Sequence, residues 1–343
     1  MELFKMSKFY FLLSIILMFT LVACAVDSTS DSAADDKEMD TDELIPVSFV
    51  LDWTPNTNHT GIFVAKENGY FEDEGLDVDI MLPGKAGADQ LIASGKAEFG
   101  ISTQKETTQA RSEGLPIVSV AAVIQHHTAG YAFLAEENVT GPKDFEGKAY
   151  GGYGSETEKA SLKTIMDHND ADFDKIEFLN IGDSDFFAAV ERDIDFASIF
   201  YAWTGIEAEI RGIDLDVFYT KDFADELDSY SPIISANEDF LEEDTETAKR
   251  FMAAAVKGYE FAIDNPEEAA DILIKAVPDL DPELVKKSQE WLSPRYQEDA
   301  DQWGIQEKKR WVDLTNWMVE NDILDEEIDN DQVFTNEFLP ERN

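Results

Sequence analysis

The feature that most constrains the fold is a pattern that occurs twice, in which a short apolar run ends in an aromatic turn and leads directly into a helix-like segment. Residues 47–50 lead into a turn that contains Trp53, and residues 196–200 lead into a turn that contains Trp203. A strand that feeds a helix is the repeating unit of α/β folds, whose ligands bind at the carboxyl ends of the strands. The pattern therefore predicts two α/β units, each with a ligand-facing strand end.

The segments around these two turns alternate in the same way. Short crossovers between strands and helices give parallel-rich sheets that are covered by helices on both faces. The last third of the chain is predicted to be helical, with Trp311 and Trp317 as packing residues. Further strands are predicted at 77–82, 98–102, 117–124, 131–135, 148–150 and 176–179, and a return from the second unit to the first at 233–241.

The amino terminus has the pattern of a secretory signal peptide, residues 1–23. Two lysines precede an apolar run of 15 residues at 9–23, shorter than the ~20 residues of a membrane-spanning helix. The end of the run resembles a bacterial lipobox, which implies that Cys24 is lipidated and anchors the protein to the extracytoplasmic face of the cell membrane. Residues 24–45 are rich in Ser, Asp and Glu and are predicted to be a flexible tether.

The composition excludes several classes of function. The chain carries 73 acidic and 27 basic residues, a net charge of −46, which argues against binding of nucleic acid or anionic lipid by the folded part. Cys24 is the only cysteine, so a disulfide, a cysteine metal site and a thiol nucleophile are excluded from the folded part. We predict a monomer that meets the membrane through its lipid anchor.

The first aromatic turn also carries a resemblance to a known family. Leu51-Asp52-Trp53-Thr54-Pro55-Asn56 with His59 is followed by Gly69-Tyr70-Phe71 and Glu74-Gly75-Leu76-Asp77. These motifs resemble the pyrimidine-binding family that includes the solute receptors of thiamin-precursor ABC importers and the fungal thiamin-pyrimidine synthases. The resemblance runs from Pro46 to about the last thirty residues. It implies an α/β, two-lobed fold of the periplasmic-binding-protein-like type (type II), with a ligand cleft between the lobes.

The lobes are predicted from this plan. We assign 46–136 to the first part of lobe 1, 137–231 to lobe 2, and 232–343 to the return into lobe 1 with the carboxyl-terminal helices. The boundary at 137 depends on the turn-forming residues 138–142. Two crossings between the lobes would allow them to close over a small, flat solute.

The candidate ligand-binding residues follow the predicted strands or open the next helix. The Gly-rich segment 151–154 could also cradle an anion, although it is neither a dinucleotide-binding nor a Walker sequence. Glu207 is predicted to pair with the amine and the protonated ring nitrogen of a 4-aminopyrimidine. The full set is Trp53, Asn56, Asn58, His59, Thr103, Gln104, Tyr153, Ser155, Tyr201, Trp203 and Glu207.

The resemblance implies two possible activities, solute binding and pyrimidine synthesis. In the synthases the residue that matches His59 donates its ring atoms to the product, and a cysteine-rich segment lies just before the return strand. Residues 228–232 of this chain contain no cysteine. His126 and His127 are adjacent, so they cannot face one metal from a helix. We therefore predict a receptor, not an enzyme, with no catalytic residue, metal or cofactor.

The resemblance also implies the solute and its destination. We predict an aminopyrimidine thiamin precursor, such as N-formyl-4-amino-5-aminomethyl-2-methylpyrimidine, that is passed to an ABC permease and its ATPase. Riboflavin or another flat heteroaromatic is the alternative. A sulfonate or nitrate is less well supported, because Lys105 is the only cation at the predicted strand ends. A surface adhesin would leave the aromatic strand ends unexplained.

Overall fold

The computed structural model describes residues 44–182 and 184–341. The predicted signal peptide, Cys24 and nearly all of the tether lie outside the described residues. The described strands are β1 (Ile45–Val50), β2 (Leu76–Met81), β3 (Phe99–Ser102), β4 (Ile117–Ala122), β5 (Ala129–Leu134), β6 (Ala149–Gly152), β7 (Glu177–Asn180), β8 (Phe196–Phe200), β9 (Leu215–Tyr219) and β10 (Ile233–Asn237).

The α-helices lie mainly between the strands and at the end of the chain. None of those described is long and apolar enough to cross a membrane. They are α1 (Thr60–Glu67), α2 (Tyr70–Asp73), α3 (Ala88–Ala93), α4 (Gln104–Ser112), α5 (Glu156–His168), α6 (Phe186–Val190), α7 (Ile206–Arg211), α8 (Glu238–Glu243), α9 (Thr245–Asp264), α10 (Pro266–Ala276), α11 (Pro282–Gln297) and α12 (Lys308–Glu320).

The strands form two five-stranded sheets, in the orders β2-β1-β3-β10-β4 and β7-β6-β8-β5-β9. In the first sheet β1 is parallel to β2 and β3, whereas β10 runs antiparallel to β3 and β4. In the second, β6 is parallel to β7 and β8, whereas β5 runs antiparallel to β8 and β9. The chain passes between the sheets after β4 and returns before β10, so the predicted two-lobed α/β fold is confirmed.

The predicted boundary between the lobes at 137 is wrong by one strand. β5 precedes that boundary but pairs with β8 and β9 of the second sheet. The turn-forming residues 138–142 connect β5 to β6 inside the second lobe, and the crossing lies between β4 and β5. An apolar strand can pair in either sheet, so its sequence does not state its partner. β9 was not predicted, because it is a half-buried edge strand without a clear apolar alternation.

Close packing of α1 against α9 fixes the entry to the first helix. A Cβ atom on Gly258 of α9 would lie 2.0 Å from the carbonyl oxygen of Gly61 of α1, so only glycine permits this approach. The hydroxyl of Tyr259, the next residue, donates to the carbonyl oxygen of Asn58 at 2.9 Å. The turn before α1 is therefore tied to the core of the first lobe.

The last helix, α12, packs against both lobes. Trp311 is buried in a cluster with Ala122 and Ile233 of the first sheet, whereas Trp317 is buried in a cluster with Tyr131 of the second. The predicted packing role of both tryptophans is confirmed. The assignment of 232–343 to lobe 1 alone is wrong for α12, because its apolar residues face in two directions.

Candidate ligand-binding site

His59 orients the acid that follows β1. His59 is fully buried; its Nδ1 accepts from the backbone N–H of Asn56 at 3.2 Å, and its Nε2 lies 2.8 Å from Oδ1 of Asp52. Because the backbone N–H can only donate, Nδ1 carries no proton and Nε2–H donates to Asp52. His59 therefore holds the half-buried Asp52 carboxylate in place from behind.

Asn56 caps the helical turn that leads into α1. Its side-chain oxygen accepts from the N–H of Asn58 at 2.9 Å, and its amide nitrogen donates to the carbonyl of Thr54 at 3.1 Å. Both ends of the Asn56 side chain are thus used within the turn. The turn is held rigidly by its own hydrogen bonds, with Trp53 projecting from it.

Large apolar side chains are exposed where strands of both sheets end. Trp53 follows β1, Leu82 follows β2, Tyr153 follows β6 and Phe200 ends β8, and each is between 47% and 60% exposed. In each sheet the two strands concerned are parallel, hydrogen-bonded neighbours: β1 pairs with β2, and β6 pairs with β8. Exposed apolar surface at strand ends is characteristic of a ligand cleft. The sequence did not indicate Leu82 or Phe200, because burial cannot be told from residue type.

Four carboxylates line a cavity of about 330 Å³ beside the first sheet. Asp52, Asp89 and Glu106 lie in the segments that follow β1, β2 and β3, and Glu113 lies at the end of α4. Partial desolvation by the cavity walls, together with the charge of Asp89, raises the pKa of Glu106 to about 7. The residue is still exposed, so this desolvation is incomplete. Burial also raises the pKa of Asp89. Oδ1 of Asp89 is buried and accepts no hydrogen bond from the described residues. The wall of this cavity is therefore rich in hydrogen-bond acceptors.

The Gly-rich loop after β6 encloses a carboxylate of the protein itself. Glu158 accepts hydrogen bonds from the hydroxyl of Tyr150 at 2.6 Å and from the N–H of Gly154 at 2.9 Å. A Cβ atom on Gly152 would lie 2.3 Å from the Glu158 carboxylate, so a larger residue would displace this carboxylate from the loop. Ser155 caps α5 by accepting from the N–H of Glu158 at 3.2 Å. The predicted anion cradle is occupied by Glu158.

The second aromatic turn is a π-helical turn, Tyr201–Gly205, that leads into α7. The hydroxyl of Tyr201 donates to Glu209 at 2.6 Å, and its ring centre lies 5.2 Å from that of Trp291 on α11. Trp203 is half-buried against the core of the first lobe. Tyr201 and Trp203 therefore pack at the junction of the lobes.

Glu207 lies in the first turn of α7 and forms an ion pair with Arg211 one turn later. The guanidinium group of Arg211 lies 4.1 Å from the ring centre of Phe187. The structure thus gives Glu207 a partner within the protein, and its predicted contact with the ligand stays a prediction.

One buried serine joins the two aromatic turns. Oγ of Ser288 on α11 lies 2.6 Å from Oγ1 of Thr57 and donates to the carbonyl oxygen of Ala202. Thr57 is four residues after Trp53, and Ala202 lies next to Trp203. The two turns that the sequence singled out are therefore held against the same helix.

The residues at the start of α4 have different roles. Thr103 caps the helix, whereas Gln104 is buried, donating to the carbonyl of Arg310 at 3.0 Å and accepting from the N–H of Tyr230 at 2.9 Å. Gln104 is thus engaged inside the protein and does not face the cleft. Lys105 reaches Ser161 of the second lobe at 3.3 Å, and burial lowers its pKa to about 8.

The described residues contain no group of three or more His, Cys, Asp or Glu placed to hold a metal ion.

Comparison with solved structures identifies the fold. The periplasmic aliphatic sulphonate binding protein SsuA of Escherichia coli matches with a TM-score of 0.66 and covers 85% of this chain and 97% of its own, at 12% sequence identity. At that identity the match shows the fold alone. The chain has the two-lobed fold of periplasmic binding proteins.

The family is shown by sequence. The family described as NMT1/THI5 like matches residues 56–269, and the chain belongs to it. The formylaminopyrimidine-binding protein of Halalkalibacterium halodurans is 29% identical over 342 residues, covering 96% of this chain and 99% of the relative. The 4-amino-5-hydroxymethyl-2-methylpyrimidine phosphate synthase THI11 of Saccharomyces cerevisiae is 26% identical over 269 residues, covering 73% and 75%. The resemblance predicted from residues 51–77 is confirmed.

Proposed function

We propose that this protein is the extracytoplasmic receptor of an ABC importer, binds an aminopyrimidine thiamin precursor and passes it to a permease with its ATPase. A relative that covers nearly the whole chain is named a formylaminopyrimidine-binding protein. The fold is that of proteins that bind small solutes between two lobes. The solute proposed is N-formyl-4-amino-5-aminomethyl-2-methylpyrimidine or a close analogue.

The observation that carries the proposal is the set of exposed apolar side chains at strand ends in both lobes: Trp53, Leu82, Tyr153 and Phe200. Burying such side chains is favourable, and this free energy becomes available when a planar ring binds and covers them. Aromatic walls also favour offset stacking with a flat heterocycle. A pyrimidine fits these requirements.

The polar groups of the cleft favour a donor-rich ligand over an anion. Asp52, Asp89 and Glu106 present acceptor oxygens in the first lobe, and Glu158 already fills the Gly-rich loop of the second. Lys105 is engaged by Ser161. A sulfonate or nitrate would meet carboxylates in both lobes, whereas an exocyclic amine would donate to them. An aminopyrimidine therefore fits better than an anion.

A synthase activity is the second candidate, because relatives at 26% identity are named pyrimidine phosphate synthases. His59 argues for binding, since it is fully buried and both ring nitrogens have partners in the protein. Incubation with pyridoxal phosphate and iron should leave the mass of the His59 peptide unchanged. Loss of imidazole atoms at His59 would establish the synthase reaction instead.

Membrane attachment is proposed to depend on Cys24. Two acyl chains on a lipidated terminal cysteine suffice for stable anchoring. Cys24→Ala should move the protein from the detergent phase to the aqueous phase on phase partitioning, without changing ligand affinity. Partitioning that survives the substitution would refute the lipid anchor.

Calorimetry tests the ligand. The formylated aminopyrimidine should bind more tightly than riboflavin or an alkanesulfonate, and native mass spectrometry of freshly purified protein should show a co-purified mass in its range. Equal or tighter binding of either competitor would contradict the proposal.

A further inference from the structure

A histidine links the two segments by which the chain crosses between the lobes. His126 lies between β4 and β5, and Asp228 lies on the return path before β10. Nδ1 of His126 is 2.6 Å from Oδ2 of Asp228, and Nε2 is 3.0 Å from Oδ1 of Asp299, in the segment between α11 and α12. Asp228 also accepts from the backbone N–H of His127 at 2.9 Å. Three segments distant in sequence thus meet at one imidazole ring.

The geometry defines the charge of the ring. A carboxylate only accepts hydrogen bonds, and a neutral imidazole has one N–H to donate. Two carboxylates, one at each nitrogen, therefore require the doubly protonated imidazolium. The contact between Arg310 and Nδ1 is 3.5 Å long, so the shorter contact with Asp228 determines where the proton lies.

The surrounding groups agree with this charge. The hydrogen bond to Asp228 raises the pKa of His126, with a further contribution from Asp299, against the opposing effects of burial and of the Arg310 charge. Burial tends to raise the pKa of Asp228, but His126 and Arg310 outweigh it, so that pKa is lowered. His127 stays neutral, because burial lowers its pKa to about 3. The pKa of His126 is thus raised above its usual value of 6.5, whereas that of its neighbour His127 is lowered.

We propose that protonated His126 is a latch that ties the two interlobe connections to each other and to the segment between α11 and α12. Lobes joined by two connections move relative to each other by twisting those connections. When His126 loses a proton, one nitrogen becomes an acceptor facing a carboxylate, and one of the two links is lost. Deprotonation therefore loosens the hinge. The proposal does not depend on which solute the cleft binds.

The sign of the pH dependence follows from linkage. The pKa of His126 in the folded protein is raised above 6.5, so the stabilisation by the latch is complete below 6.5. It is lost as the pH rises through the raised value. The ring is 19% exposed, and the latch acts on the connections rather than on the whole fold.

Hydrogen exchange on the full-length protein tests the latch. After correction for intrinsic rates, the amides at 123–128 and 228–231 should lose about threefold to tenfold protection as the pH rises through the His126 pKa, as expected for one partly exposed, charged hydrogen bond. In His126→Gln this pH-dependent step in protection should be absent. His168→Gln, at an exposed histidine 3.4 Å from Glu226, is the matched control and should retain it.

A second variant and a spectroscopic readout keep the test decisive if His126→Gln folds poorly. Asp299→Asn removes one carboxylate and should move the step to lower pH. Nitrogen NMR of the His126 ring should show both N–H groups below the step and one above it. A wild-type protein without the step, the same step in His126→Gln, or a ring with a single N–H at low pH would each overturn the latch.

Discussion

Ser288 and Thr57, which are 231 positions apart in sequence, share a buried hydrogen bond of 2.6 Å between their hydroxyls. Since Ser288 donates its own proton to the carbonyl of Ala202, Thr57 must donate to Ser288. This chain of two hydrogen bonds connects the turn after β1 to the turn after β8. The relative position of the two aromatic turns therefore depends on one hydroxyl.

Ser288→Ala should destabilise the protein and weaken ligand binding. The change leaves the Ala202 carbonyl and the Thr57 hydroxyl without their partner, at a cost on the order of 1–3 kcal/mol for buried polar groups. Urea unfolding and calorimetry measure the two effects. Ser112→Ala, at an exposed helical serine that donates to Gln109 at 2.7 Å, is the control and should be nearly neutral. Equal effects of both substitutions would contradict the role of Ser288.

Trp53→Ala should weaken aminopyrimidine binding about tenfold or more while leaving stability nearly unchanged, because Trp53 is 57% exposed in the free protein. Trp303→Ala should instead lower stability strongly. Trp303 is fully buried and stacked 4.2 Å from Tyr259, so its loss should cost about 3–5 kcal/mol of unfolding free energy. Calorimetry and urea unfolding of both variants separate the two roles. Undiminished affinity in Trp53→Ala would remove that ring from the site.

Glu106→Gln should stabilise the ligand-free protein at pH 8 but not at pH 4. The pKa of Glu106 is raised from 4.5 to about 7, so the folded state holds the proton more tightly and stability falls as the pH rises between these values. Glutamine does not ionise beside Asp89 and removes this decline. Thermal unfolding across the pH range measures it, with Glu113→Gln at the same cavity as the control. Parallel pH profiles of wild type and Glu106→Gln would show that Glu106 does not titrate as stated.

Glu207→Gln should cost about 1.5–3 kcal/mol of aminopyrimidine binding if the carboxylate accepts from the amine and the protonated ring nitrogen. Wild-type affinity should then fall as the pH rises above the pKa of the bound ring, and the variant should show a flatter profile. Arg211→Gln is the informative control, because it frees Glu207 from its ion pair and should not weaken binding. Glu207→Gln with wild-type affinity and pH profile would exclude this contact.

The sequence by itself determined the class of fold and most of the local elements, with β9 as an exception. The apolar runs before Trp53 and before Trp203 indicated strands, and the residues after them indicated helix starts, because these signals depend on residues a few positions apart. The motif around Trp53 and His59 also indicated the family, which the match to residues 56–269 confirms.

Only the tertiary structure decided which elements pair and which side chains face the cleft. β5 joins the second sheet, Gln104 turns inward, Glu158 fills the Gly-rich loop, and α12 contacts both lobes. The placement of β5, Gln104 and α12 depends on contacts with residues distant in sequence, whereas Glu158 is held by Tyr150 and Gly154 within the same loop and helix start. A local pattern specifies the period of an element but not its partner, because the free energy of pairing depends on both surfaces.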